Sequence, residues 1–575
     1  MKRNTILITT LLLGMFTSCK DSFLDVQPKA VLSATALQNA KGVSYLLTGA
    51  YSLLDGWATS GGAFRSYQSS SDNWVYGSIM GGDAYKGTIA GDQPAISLIE
   101  QYQIQSDNVY FQGKWRAVYD GIARCNDVLQ AVVNATDMTD AEKTQAMAEA
   151  RFLRAHYHFE ARKMFKNVPF IDEITYDPAD LNSTKIPNTD EIWPKINADF
   201  QYAYENLPAK QSQVGRATKW AAASMLAKAY MFQQKFADAK TLLEAVVASN
   251  QYQLVDKYHD NFRATTNNNS ESIFEIEFSV NDGAASGENG NVGATLNYPY
   301  GGGGVTTCCG FFQPSQNLVN AFKTDANGLP LLDTYNTSDV TNDQGLESTS
   351  TGYVPYQGNL DPRLDWTVGR RGIPYLDWGV HPGKAYIRDQ SYGGPYSPKK
   401  HVMYRSDVGS NTFAGNPRLN ANNYRILRLS HVYLWLAEIE AEIGSLDKAM
   451  YYVNLIRNRA SNPEGFVKNA DGTAAANYVV GLYTSFPDKD FARKAIRFEE
   501  RLEFGMEGHR FFDLVRWGVA DVTLNEYLAI EQTKRLYLKG AAFVKGKHEY
   551  FPIPLQEILY SQLNGKATLT QNPGY

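Results

Sequence analysis

Leu429-Ser430-His431-Val432-Tyr433-Leu434-Trp435-Leu436-Ala437-Glu438-Ile439-Glu440-Ala441-Glu442-Ile443-Gly444-Ser445-Leu446-Asp447-Lys448-Ala449 is the stretch whose reading decides the fold. Leu429, Val432, Leu436, Ile439 and Ile443 recur at intervals of three and four, which lays one apolar stripe along a helix. Gly444 stops that helix and Ser445 caps the next. Ala437 and Ala449 stand twelve residues apart with Leu446 between them, and Ala227 and Ala239 repeat the spacing around Tyr230 and Phe236. Small residues at such points let two antiparallel helices pack closely, as in tetratricopeptide repeats of about 34 residues.

Outward from this pair the helical signal continues. Helices are expected over 34–54 and 108–133, then from a capping box at Thr139 and Glu142 through Lys163, stopped by Pro169. Others follow at 189–205, 218–233 and 236–248. Residues 261–417 interrupt the pattern. Phe274, Ile276 and Phe278 alternate with Glu275 and Glu277, a half-buried strand, and Gly/Pro/Asn-rich sequence with scattered aromatics follows. Loops on a rigid scaffold concentrate binding residues, so this insertion and the stretch from Trp57 to Tyr110 are where function is sought. The expected organisation is a signal over 1–18 and one unit over 19–575. That unit has helical repeats at 34–260, a loop-rich insertion at 261–417, further repeats at 418–525 and a closing segment at 526–575.

The amino terminus reads as an export signal. Met1-Lys2-Arg3 is basic, Ile6 to Phe16 is apolar but too short to cross a bilayer, and Phe16-Thr17-Ser18 precedes Cys19. Cys19 is the expected lipidation site, so that only the acyl chains touch a membrane. The formal net charge of −5 over 575 residues carries no footprint for nucleic acid. Aromatics make up 13 % of the chain, with 36 Tyr and 9 Trp, and many lie between glycines, where they suit wet surfaces that grip flat apolar faces.

Of four cysteines, Cys125 falls on a helix and reads as a small buried residue. Cys308 and Cys309 are adjacent, and outside the cytoplasm they could form a vicinal disulfide, a rigid sulfur-faced platform for a ligand; two free thiols or a Cys125 pairing are the alternatives. No Cys/His spacing resembles a zinc site, and neither a metal nor another cofactor is expected. Gly301 to Gly304 lack the Gly-Lys-Ser/Thr of a phosphate loop. The acidic run Glu499 to Asp513 is laced with arginines, which lower carboxyl pKa values and suit a salt-bridged joint better than a general acid. Glu499 and Glu503 lack an arginine at helical spacing and need partners from elsewhere in the fold. No catalytic set survives, and the chain is not expected to be an enzyme.

The run Glu499 to Gly518, ending Asp513-Leu514-Val515-Arg516-Trp517-Gly518, resembles the C-terminal signature of the SusD/RagB family of Bacteroidetes outer-membrane lipoproteins. Other blocks agree in order: Leu46-Leu47-Thr48-Gly49-Ala50-Tyr51, Arg151-Phe152-Leu153-Arg154-Ala155, Gln313 to Phe322, Asp361-Pro362-Arg363-Leu364, Leu434-Trp435-Leu436-Ala437-Glu438, and Tyr550-Phe551-Pro552-Ile553-Pro554 with Gln571-Asn572-Pro573-Gly574-Tyr575. The resemblance implies a mostly α SusD-like fold whose tetratricopeptide-like helix pairs support a loop-rich, aromatic-rich insertion. It also implies a lipid-anchored, cell-surface protein of the outer membrane that captures oligosaccharides for a SusC-like TonB-dependent transporter. The alternative is RagB-like peptide binding. From position and composition, the expected ligand contacts are Asp72, Asn73, Trp74 and Tyr76 in the first variable loop, Tyr298 and Tyr300 before the glycines, and Trp378 with Arg388. A secreted glycoside hydrolase and a helical-repeat adaptor are the readings from other classes.

Overall fold

The computed structural model describes residues 34–57, 66–301 and 308–575. The signal, Cys19 and residues 302–307 lie outside the described residues. The long helices are α1 (Ala40–Tyr51), α2 (Val109–Asn134), α3 (Asp140–Phe165), α4 (Trp193–Asn206), α5 (Lys219–Phe232) and α6 (Phe236–Ala248). After the insertion come α7 (Leu429–Ile443), α8 (Leu446–Ala460), α9 (Lys489–Phe504), α10 (Arg510–Arg516) and α11 (Ala520–Lys534). The ends follow local chemistry. At α3, Thr139 accepts from the Glu142 amide and Glu142 reaches back to the Thr139 amide at 2.8 Å, which satisfies two otherwise orphaned donors. The start of α8 differs from expectation: Ser445 sits at the cap position without a side-chain cap bond, and its amide is taken by Glu440 Oε2 at 3.0 Å.

Helices α1 to α6 pack in series, each against the next. α7 then packs on α6, and α8 and α9 complete the stack. The helical layer is thus continuous in space although some 180 residues separate α6 from α7 in the chain. Ala227, Ala239, Ala437 and Ala449 are all fully buried at these contacts. Phe152 of α3 meets Phe200 of α4 at 5.8 Å and Phe274 at 5.0 Å, both edge-on, the geometry ring quadrupoles prefer.

The insertion is tied at its root by an antiparallel pair, β2 (Ser272–Ile276) with β4 (Tyr424–Arg428). A second pair, β1 (Ala84–Gly87) with β3 (Phe311–Pro314), joins the insertion to the amino-terminal half. The alternation expected around β2 fails at one position. Glu275 is buried because Arg425 on β4 meets it at 3.2 Å, whereas Glu277 is exposed. No described helix is long and apolar enough to cross a membrane.

The acidic signature is a buried joint. Glu503 pairs with Arg363 at 3.0 Å and also with Arg428 and Arg459, while Glu499 pairs with Arg363 at 2.7 Å and Arg457 at 2.8 Å. Glu507 meets Arg428 at 3.0 Å and Lys400 at 2.9 Å. These are the long-range partners Glu499 and Glu503 required. Of the pairs three residues apart in this run, Asp513–Arg516 forms at 2.9 Å, but Glu507 turns from Arg510 to Arg428 and Lys400, and Glu500 from Arg497 to Arg516 at 3.4 Å. Despite burial, Arg428 and its neighbouring cations hold the Glu503 and Glu507 carboxyls down, Glu507 to about 2. Glu500 moves the other way, pushed up by burial, and the cavity beside it, about 20 Å³, has no room for a substrate.

Candidate ligand-binding surface

The expected contacts divide between the core and half-exposed positions. Asp72 to Tyr76 is not a surface loop. Gly77 crosses Gly508 so closely that a Cβ on Gly77 would stand 1.7 Å from the Gly508 carbonyl oxygen, which fastens this segment to the acidic signature. Trp74 is 1 % exposed, with its ring against Phe312 at 5.6 Å and Phe311 at 6.3 Å. Tyr76 is equally buried, its hydroxyl 2.7 Å from the carbonyls of Gln68 and Tyr110. Asn73 is buried and its amide donates to Glu160 at 3.1 Å. Asp72 is half-buried; desolvation raises its carboxyl pKa, and one oxygen accepts from the Trp74 amide at 3.4 Å. Trp74 and Asp72 border a small cavity of about 20 Å³, the size of one water. Tyr298, on the same cavity, is 1 % exposed and packs with Tyr375, Tyr386, Val402 and Met403. Trp74, Tyr76 and Tyr298, expected as ligand contacts, are thus enclosed by neighbouring side chains in this structure.

Tyr300, Trp378 and Arg388 remain partly open to solvent. The chain leaves the buried tyrosine cluster at Tyr298 and returns at Gly310, whose amide donates to the Tyr298 carbonyl at 2.8 Å. Between these points Tyr300 pairs through its amide with the Tyr386 carbonyl at 3.0 Å. Arg388 then lies over the Tyr300 ring at 4.9 Å and bonds Asp92 Oδ2 at 2.7 Å and Thr88 Oγ1 at 2.8 Å. The turn carrying Thr88 and Asp92 is held from below by Lys86, whose ammonium donates to the carbonyls of Ile89 at 2.8 Å and Asp92 at 2.7 Å. Burial lowers the Lys86 pKa to about 8, with Glu100 and Asp92 opposing the shift. Trp378 rests on the same tyrosine cluster, its indole N–H bonded to the Met403 carbonyl at 3.0 Å.

Cys308 and Cys309 form a disulfide at the root of the same loop. Arg418 Nη1 lies 3.0 Å from Cys309 Sγ and donates to the Thr295 carbonyl at 3.1 Å. Cys125 is fully buried on α2, and desolvation pushes its thiol up. The half-exposed surface thus combines the Tyr300 ring with the Arg388–Asp92 pair, braced from the buried side by the Thr88 hydroxyl and bordered by the disulfide. No group of three or more potential metal ligands occurs among the described residues. Sequence reasoning missed Thr88, Asp92 and Lys86, because Asp92 meets Arg388 across 296 residues and no local pattern marks such a pair.

Gly310 makes the arrangement possible. Its φ is +77°, and an added Cβ would sit 3.1 Å from Tyr300 Cβ and 3.6 Å from Arg388 Cβ. A Gly310→Val protein is expected to lose about 1–3 kcal/mol from the left-handed backbone alone and to displace Tyr300. Urea unfolding with Tyr300 difference spectroscopy checks this; a variant as stable as the parent would show the close approach to be unimportant.

A roomier cleft of about 570 Å³ lies elsewhere, between α2 and the 555–569 segment. Its lining is largely aliphatic and aromatic, and its Tyr119 hydroxyl and Lys185 ammonium are engaged by the Pro169 and Gln562 carbonyls. Its remaining polar lining includes Thr184, Glu557, Ser561 and Thr568, of which Glu557 is held by Arg116 at 2.8 Å.

Residues 270–575 match the model of the SusD family, and residues 22–231 match one described as starch-binding associating with outer membrane. The chain is 26 % identical to SusD-like protein P25 of Formosa agariphila over the full length of both. It is 24 % identical to the starch-binding protein SusD of Bacteroides thetaiotaomicron, over 76 % of this chain and 74 % of that one. Among solved structures, surface glycan-binding protein A of Bacteroides thetaiotaomicron in complex with laminarihexaose superposes with a TM-score of 0.67 at 22 % identity, covering 93 % of this chain and 99 % of that one. A laminarin-binding SusD-like protein gives 0.63 at 22 % identity, covering 93 % of this chain and all of the other.

Proposed function

This chain belongs to the SusD family, and from that premise we propose that it is a cell-surface glycan-binding lipoprotein of the outer membrane. In this reading it captures oligosaccharides and passes them to a SusC-like TonB-dependent transporter. Starch-binding and laminarin-binding relatives support a glycan as ligand. The lipid anchor rests on Cys19, and the helix pairs are read as divergent tetratricopeptide-like repeats. In this reading the protein binds and does not cleave: Glu499, Glu503 and Glu507 of its acidic signature are committed to buried cations, which suits a joint rather than general acid–base work.

The observation that carries the ligand site is the half-exposed Tyr300–Arg388–Asp92 group, braced by the buried Thr88, with Trp378 on the same buried base. A pyranose presents a C–H face that stacks on an aromatic ring, while its hydroxyls are read by a guanidinium and a carboxylate already held in place. Such pre-organisation limits the ordering cost of binding.

Titration of the mature protein against laminarin, starch and a peptide panel, followed by heat and tryptophan fluorescence, tests this. Saturable binding to a glycan is expected, weakened about tenfold or more by Tyr300→Ala or Arg388→Ala, a loss of roughly 1.4 kcal/mol or more. Trp74→Phe is expected to leave affinity unchanged, since the ring is enclosed. Binding to peptides alone would favour the RagB-like alternative, and release of reducing ends from either glycan would replace the reading with an enzymatic one.

A further inference from the structure

Two contiguous cavities, about 270 and 310 Å³, run between the 209–218 turn and β2 and share the walls Val214, Gly215, Arg216, Glu275 and Glu277. Together they fall in the range of ligand clefts, roughly 300–1,000 Å³. They share no residue with the Tyr300–Arg388 surface. At their junction Gly215 has φ +81°, and a Cβ there would meet Glu277 Cγ at 2.5 Å, so the junction requires a residue without a side chain.

We infer that this groove is a second saccharide site, taking a short neutral oligosaccharide. The inference rests on the glycan-binding reading above. Its polar groups are placed but not used up. Glu277 Oε2 accepts from Asn268 at 3.1 Å and Asn423 at 2.7 Å, while Oε1 lies beside Gly215. Arg216 is fixed by Glu149 at 3.3 Å, Thr48 at 3.4 Å and Gln213 at 3.2 Å. These three bonds engage only part of a guanidinium that carries five N–H donors. Each half of the groove has one tyrosine, Tyr51 or Tyr252.

Charge selects the ligand class. With Asp55 protonated, Glu275 and Glu277 balance Arg216 and Lys210 along the walls, so no net charge recruits a uronate or sulfated sugar, whereas neutral hydroxyls find both donors and acceptors. Desolvation also raises the Asp55 carboxyl to about 8, despite Arg124 nearby, which leaves it a hydroxyl-like partner at neutral pH. Two separate grips on one chain would let a polymer bind bivalently and be retained longer than either site allows.

Calorimetric titration of the mature chain with hexasaccharides of the laminarin and starch series, and with a hexauronate, tests the inference. Two sites per chain are expected for a neutral hexasaccharide. Glu277→Ala combined with Gln213→Ala should leave one site and weaken polymer binding at least tenfold at an unchanged melting temperature. Tyr300→Ala should remove the other site. A single site lost only in Tyr300→Ala, or two sites that survive the groove variant, would overturn the second site while leaving the glycan-binding reading intact. Preference of the groove for the hexauronate would overturn its neutral assignment, and silence toward both neutral hexasaccharides would overturn both readings.

Discussion

Acidification from pH 7 to pH 5 is expected to unfold the protein, well above the pH at which carboxylates protonate. The chain has eight histidines, and all eight have pKa values lowered by burial: His156 and His548 to about 4, His381, His401 and His509 to about 3, and His158, His259 and His431 well below the ordinary value. Several also spend the ring lone pair on a backbone amide. His158 Nε2 accepts from Ile171 at 3.1 Å, His381 Nδ1 from Gly383 at 3.1 Å, His431 Nδ1 from Arg428 at 3.2 Å and His548 Nδ1 from Val544 at 2.9 Å. A proton on that nitrogen would face an N–H and break the bond.

Above about pH 6.5 these imidazoles are neutral in both states, and their contribution to stability is fully present. As pH falls toward the lowered folded values only the unfolded chain takes up the protons, so stability drops by up to about 1.4 kcal/mol per pH unit for each group. Burial raises Asp55 to about 8 and Glu100 to about 7, and lifts Glu500 as well. Asp55 and Glu100 stay largely protonated in the folded state over the same window, and Glu500, raised in the same direction as Asp72, Asp199 and Glu531, opposes the histidines further. A net uptake of several protons corresponds to several kcal/mol per pH unit, enough to exhaust a typical stability of about 5–15 kcal/mol within about two to three units. Far-ultraviolet circular dichroism against pH should show a cooperative loss of helix centred near pH 5, with several protons taken up on unfolding. A native spectrum persisting to pH 4 would contradict the account.

The helical layer was legible because its signals are local. A stripe, a cap and a small residue at a contact each lie within a few turns, and α6 matches the expected 236–248 at both ends. What escaped depends on partners far along the chain. Glu275 looks like the outward residue of an alternating strand until Arg425 arrives on β4. Trp74, set among Asp72, Asn73 and Gly77, reads as a loop aromatic, yet the crossing of Gly77 and Gly508 draws it inside. The same composition that marks a wet loop also serves where backbones must approach closely, because glycine permits both. Tyr300 and Arg388 could be proposed from composition, but their coupling to Asp92 could not.

Arg428→Met is expected to cost about 3–5 kcal/mol, the range for breaking a buried ion pair. Arg428 is fully buried at the end of β4. One guanidinium meets Glu271 at 2.9 Å, Glu507 at 3.0 Å and Glu503, three carboxylates from the root of β2, the loop after α9 and α9 itself. Methionine fills the volume but leaves those carboxylates sharing fewer cations: Glu271 keeps Arg459, Glu503 keeps Arg363 and Arg459, and Glu507 keeps Lys400. Arg428→Lys should not restore stability, because one ammonium cannot reproduce a planar fork directed at three acceptors. If charge pairing is the cause, Glu507→Gln in the Arg428→Met background should be less costly than in the parent, a coupling of about 1 kcal/mol or more. Urea unfolding of the four proteins measures this. Additive losses would mean that Arg428 acts through packing against Phe504, whose ring lies 4.7 Å from the guanidinium, and that the joint between insertion and helical layer is apolar rather than ionic.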